Sequence, residues 1–231
     1  MRAAALEQRR PEAAAHADVY AALSRVIDPE LDQDVVELGF VAGVVREGTR
    51  VSVELRLPTY WCAPNFSWLM VSDAREALLE LSGVKEAQVT LIDHHATTEI
   101  SAGVNAELSF EQSFPDHADG ELGDLRTLFR RKAFLVRQGR AVAPLGHERL
   151  AHATLSDLPE TPATSAYLEV RGELGLDCSP DAPALSDAAG RPVRDIEDHL
   201  RRVRMIGVSL EGNSAMCRGL LQTRYGKVMA E

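Results

Sequence analysis

The sequence predicts an α+β fold: a small two-layer α/β sandwich followed by a mixed, mainly helical extension. Three observations carry this reading. In "RVSVELRL", Val51, Val53, Leu55 and Leu57 alternate in period two, the mark of a half-buried strand. Upstream, Val19, Ala22, Leu23, Val26 and Ile27 recur at helical spacing. Downstream, Leu69, Met70, Ala74, Ala77, Leu78 and Leu81 form a second helical stripe before an alternating run containing Ala87, Val89 and Leu91. The order helix, strand, strand, helix, strand makes a hairpin plus a returning strand, with both helices on one face.

Each element has its punctuation. Residues 1–15 are rich in Ala and charge and read as a flexible N-terminus. The first helix is expected to stop at Asp28-Pro29, because proline disfavours helical geometry in the residue before it. "VVELGFVAGVV" is rich in β-branched residues and reads as the first long strand, with a turn at Glu47-Gly48. Pro64 suits the first turn of the second helix and Gly83 its C-terminal end. "VKEAQVTLID" closes the unit, so residues 16–96 are expected to form one domain. Residues 97–231 form an extension assigned to client binding. Within it, residues 97–120 alternate weakly and "PDHADGELGD" reads as turns. Leu122–Gln138 reads as a helix, and residues 146–158 hold a short one. Residues 159–192 are proline-rich, with "YLEVRGEL" as a strand. Asp195–Met205 is helical, and Asn213 is expected to cap a separate last helix through Tyr225.

The totals exclude several classes. With 25 Lys and Arg against 35 Asp and Glu, the net charge is −10, which repels phosphates and argues against nucleic acid or an anionic membrane as partner. No apolar run approaches the ~20 residues of a membrane span, and the N-terminus lacks the apolar core of a secretory signal. Three cysteines without a CxxC pair make neither a disulfide framework nor a zinc ribbon. A cytoplasmic protein with free thiols is expected.

Chemistry concentrates in "RLPTYWCAPNFSWLM". Cys62 stands two residues before Pro64, at the start of a helix, where unpaired N–H groups favour thiolate. It is open to three readings: a small buried hydrophobe, a nucleophile or a metal ligand. Asp93-His94-His95 leaves the third strand at its end. Adjacent imidazoles on an extended chain point to opposite faces, so one of them, not both, would join Cys62, unless the chain turns. Both are otherwise exposed loop histidines. Asp28 and Glu30 flank a proline and read, taken alone, as turn formers. Cys217 shares a helical face with Leu220, Leu221 and Arg224 and reads as a core cysteine, whereas Cys178 falls in the proline-rich loop.

Taken together, "VIDPEL", "VVELGFV", the Thr-x-x-Cys of "LPTYWCAP" and "LSGVKEAQVTLI" resemble the iron–sulfur and metalloenzyme assembly family that includes SufT and PaaD. The resemblance spans about a third of the chain. It implies metal-handling roles for Asp28, Glu30 and Cys62, with Thr59 in support; His94 and His95 are further candidates only from their place at the end of the third strand. It also implies an accessory factor that binds iron or an iron–sulfur cluster transiently, or docks an iron-dependent client enzyme. By analogy with longer members, the client is a di-iron monooxygenase. A homodimer bringing two Cys62 residues together fits the same picture, since one thiol falls short of the four that a stable cluster prefers. Tyr60 and Trp61 depart from the family's small residues before the cysteine, and the C-terminal zinc cysteines of PaaD-type relatives are absent. Two other readings stand beside it. One is a cysteine-dependent enzyme using Cys62 with His94 or His95 as base. The other is a metal-free interaction module whose docking patch is Tyr60, Trp61, Phe66 and Trp68.

Overall fold

A computed structural model describes residues 16–115 and 122–226. Residues 1–15, and most of "PDHADGELGD", lie outside the described residues. The described chain divides into two compact units, one comprising residues up to Leu122 together with those from Ser214, the other Gly123–Asn213.

The first unit is built on a three-stranded sheet. Strands β3 (Val41–Glu47) and β4 (Arg50–Arg56) form an antiparallel hairpin, with Val44 opposite Val53 and Gly48 turning at φ 62°. Strand β5 (Glu86–Ile92) returns parallel to β4, with Val53 beside Val89. A parallel neighbour requires a crossover, which α2 (Pro64–Leu79) supplies. Period-two alternation puts Val51, Val53, Leu55, Ala87, Val89 and Leu91 into one core with Val71, Ala74 and Leu78 of α2. Helix α1 (Ala17–Leu23) packs on α2 and ends four residues before the expected stop. Its place is taken by a two-residue ribbon, β1 (Ile27–Asp28) against β2 (Gln33–Asp34). Residues 35–39 of "VVELGFVAGVV" turn rather than extend, because the carboxylate of the preceding Asp34 accepts the amides of Val36 and Glu37.

The weak alternation after residue 97 gives way to two helices, over 97–105 and 110–113. Helix α3 (Thr97–Asn105) covers the free edge of β5. Asn105 accepts from the Val89 amide and donates to its carbonyl, while Ser101 Oγ accepts from the Leu91 amide. Side chains thus satisfy an edge that would otherwise template another strand. Ser109 and Gln112 cap α4 (Phe110–Ser113) reciprocally. Gly103 lets α3 approach α2: a Cβ there would stand 2.2 Å from Ser113 Oγ and 2.6 Å from Trp68 Cη2. Gly103→Ala is therefore expected to destabilise the first unit by about 2 kcal/mol in chemical denaturation. Gly212→Ala, whose Cβ would meet nothing within 4 Å, is the control and should not destabilise.

The second unit is mainly helical: α5 (Leu122–Val142), α6 (His147–Leu150), a 3₁₀ turn at Leu155–Asp157, α7 (Pro162–Glu173) and the first part of α8 (Ile196–Tyr225). "YLEVRGEL" belongs to α7 and not to a strand. Thr161 caps that helix, Pro162 opens it, and Thr164, Tyr167, Val170 and Arg171 share its buried face at helical spacing. Buried Arg171 holds the proline-rich loop by donating to the Asp177 and Pro183 carbonyls and to the Tyr167 hydroxyl. A groove of about 810 Å³ opens between α5 and the first half of α8, floored by Val136, Val142, Leu145, Leu200 and Val203. Helix α8 (Ile196–Tyr225) is continuous over 30 residues, so Asn213 is an interior residue and caps nothing. No helix among the described residues is long and apolar enough to cross a membrane.

Candidate functional site

Cys62 sits on the loop between β4 and α2, one residue before the N-cap Ala63, and is half-buried against the core. Thr59 Oγ1 lies 3.3 Å from its sulfur, within hydrogen-bond reach, and accepts the Trp61 amide. Thr59 thus holds the turn and touches the sulfur.

The loop is fastened by the two histidines. Asp93 adopts φ 54°, so the chain turns where β5 ends and the two imidazoles come 4.4 Å apart. His94 is buried, 4% exposed. Its Nδ1 accepts from the Ala96 amide, which places the proton on Nε2, and Nε2 donates to the Cys62 carbonyl at 2.7 Å. Burial lowers its pKa first, and the Cys62 hydrogen bond opposes that. Both ring nitrogens are therefore occupied by backbone. The expectation that a histidine lone pair faces Cys62 as ligand or base is not met by His94, which instead clamps the loop. His95 is exposed, and both its amide and its Nδ1 donate to the Tyr60 carbonyl at 3.0 Å. Each histidine holds one loop carbonyl.

The aromatics separate into two groups. Trp61 is 75% exposed, edge-on to Tyr60 and tilted over His95 at 5.4 Å. Trp68 is 5% exposed and packs edge-on against Phe110 and Phe114, so it belongs to the core and not to a docking patch. Phe66 is half-buried. The surface patch is Tyr60, Trp61 and His95.

Asp28 lies in the β1–β2 ribbon at 7% exposure, and its Oδ1 accepts the amides of Glu30 and Leu31. Burial pushes its carboxyl up to about 6 against these two hydrogen bonds. Glu30 is half-buried in the turn that Asp28 organises.

Sequence reasoning missed what stands beside these residues: the end of α8, which belongs to the same unit. Cys217 is half-buried, its thiol pushed up to about 11 by burial first and then by the negative charges of Asp28, Cys62 and Glu30. Ser214 and Arg218 both donate to Gln33 Oε1, and Arg224 donates to the Leu57 and Asp93 carbonyls. The available signal was the spacing of Ser214, Cys217, Leu221 and Arg224 on one helical face.

Among the described residues, no three His, Cys, Asp or Glu side chains are close enough to hold a metal ion. Asp28, Glu30, Cys62, His94 and His95 therefore do not form a ready ligand set.

The chain matches no curated protein. Residues 16–91, which hold the sheet, α2, Cys62 and the Asp28 ribbon, match the family of iron–sulfur cluster assembly proteins.

Proposed function

We propose that this protein is an accessory factor, SufT- or PaaD-like, in iron–sulfur cluster assembly or in maturation of an iron-dependent enzyme. Cys62 is the residue that meets the iron or cluster, which is cargo here. Asp28 and Glu30 lie on the ribbon nearest Cys217 and serve as auxiliary oxygen donors once the face opens. Tyr60 and Trp61 dock the partner. The observation that carries this reading is the clamped loop: His94 and His95 fix the carbonyls around a half-buried thiol while Trp61 stands exposed beside it. A fixed thiol beside an exposed aromatic suits handover between proteins more than storage. The extension selects the client, for which a di-iron monooxygenase is the family analogy. A dimer joining two Cys62 loops would supply a second thiolate.

The test is anaerobic titration of the full chain with ferrous iron and sulfide, following thiolate-to-iron absorption and bound iron. Wild type should bind less than one cluster per chain, Cys62→Ala none, and Trp61→Ala as much as wild type while failing to retain clients in pull-down. Equal binding by wild type and Cys62→Ala would overturn the cargo role.

One observation favours a second reading, that of a metal-free docking module: the exposed aromatic pair Tyr60 and Trp61, packed edge-on beside His95. It predicts that Cys62→Ser keeps full maturation activity while Trp61→Ala loses it.

A further inference from the structure

The C-terminal end of α8 is anchored in the first unit at both ends and in the middle. Ser214, almost fully buried, donates to Gln33 Oε1 at 2.5 Å, and Arg218 donates to the same oxygen at 2.7 Å. Two turns on, Arg224 donates to the Asp93 carbonyl at 2.7 Å and reaches that of Leu57, while the Tyr225 hydroxyl donates to the Asp93 carboxylate. Arg56 lies over the Tyr225 ring. Between these clamps Leu221 is 1% exposed in the core. Gln33, Leu57 and Asp93 adjoin the three segments that carry Asp28–Glu30, Thr59–Cys62 and His94–His95. Cys217, between Ser214 and Arg218, is half-buried against the same core as Cys62.

We infer that Ser214–Tyr225 is a strap across the Cys62 face, and that lifting it exposes Cys62, Cys217 and the Asp28 ribbon to a partner. This rests on the reading of Cys62 as the working residue. Two buried side chains, Leu221 and Ser214, the half-buried Cys217 and Tyr225, and the exposed Arg218 and Arg224 hold the strap, whereas the sheet beneath it is held by the buried side chains of β3, β4, β5 and α2. An element held that lightly opens locally, without global unfolding. Met216 and Leu220 are exposed on its outer side, so the strap carries apolar surface that a partner can grip while the inner side is bound.

Thiol labelling of the full-length protein tests this without iron or client. Iodoacetamide alkylation is followed residue by residue by mass spectrometry, with exposed Cys178 as internal reference. In wild type, Cys178 should react fastest and Cys217 slowest. Arg224→Ala, and separately Leu221→Ala, should raise the Cys217 and Cys62 rates about tenfold or more. Cys178 should not change, and amide exchange in β4 and β5 should stay slow. Unchanged Cys62 reactivity in Arg224→Ala would overturn the strap, as would acceleration that appears only together with fast exchange in β4 and β5. Arg224 is a surface side chain, so its variant decides the matter if Leu221→Ala does not fold. Failure here leaves the iron titration standing, and failure of that titration leaves the labelling result standing.

Discussion

His94→Ala should cost the first unit about 3–5 kcal/mol and release the Cys62 loop. The side chain fills a buried site and satisfies two backbone groups, the Cys62 carbonyl and the Ala96 amide. Truncation leaves both buried without that partner, at about 1–3 kcal/mol each, and adds a cavity. Urea denaturation gives the stability loss, and the Cys62 alkylation rate gives the local consequence. The pH dependence distinguishes this from generic core damage. His94 is held neutral, with its pKa below the ordinary 6.5. The unfolded chain therefore binds the extra proton, and wild-type stability falls as pH drops from 6.5 through the folded value. Removing His94 should remove that limb, so the difference between wild type and variant shrinks on acidification. A constant difference from pH 8 down to 5 would show that the imidazole is not buried neutral. Of the two bases open to the cysteine-enzyme alternative, His94 or His95, His94 has no free lone pair, since both of its nitrogens hold backbone.

How much of this was legible depends on how locally each feature is encoded. Strands β4 and β5 and helix α2 were readable because burial on one face imposes a single period over seven or more residues. Pro64 and Gly83 then marked the ends of α2 and its connection. The end of α1 was misread because Val26 is buried by the ribbon after the helix, and its spacing imitates another helical turn. "YLEVRGEL" misled in the opposite sense. Its short alternation is compatible with a strand, and the cap Thr161-Pro162 that decides for helix lies five residues earlier. Gly212-Asn213 resembles a break, yet nothing in the fold requires the chain to turn there. The likeness of residues 16–91 to the iron–sulfur cluster assembly family was legible through joint motif order. Cys217, Arg224 and Tyr225 were not, because their partners lie more than 130 residues away and no local pattern records that pairing. The same limit applies to His94, whose role is set by a carbonyl 32 residues upstream.

Asp28→Asn should stabilise the protein at neutral pH, the reverse of the usual outcome at a buried polar site. The carboxyl rises from 3.8 to about 6 because burial penalises its charge more than the Glu30 and Leu31 amides favour it. A shift of that size corresponds to about 3 kcal/mol. The sign follows from linkage. With the folded pKa above the unfolded one, the folded protein holds the proton more tightly. Its stability contribution is complete below pH 3.8 and is lost as pH climbs through about 6. Asparagine has the same shape, keeps an oxygen for the Glu30 and Leu31 amides, and carries no charge to bury. Denaturation at pH 8 should therefore show the variant more stable by up to about 3 kcal/mol, with the two proteins converging near pH 4. An isosteric change that gains stability marks a carboxylate retained at a standing energetic cost. Such groups concentrate at working sites, where a charge is wanted in spite of its surroundings. The paired expectation is that Asp28→Asn weakens Cys62-dependent iron binding while it strengthens the fold. If the variant is more stable and binds iron as well as wild type, Asp28 is a turn former and Cys62 acts without it.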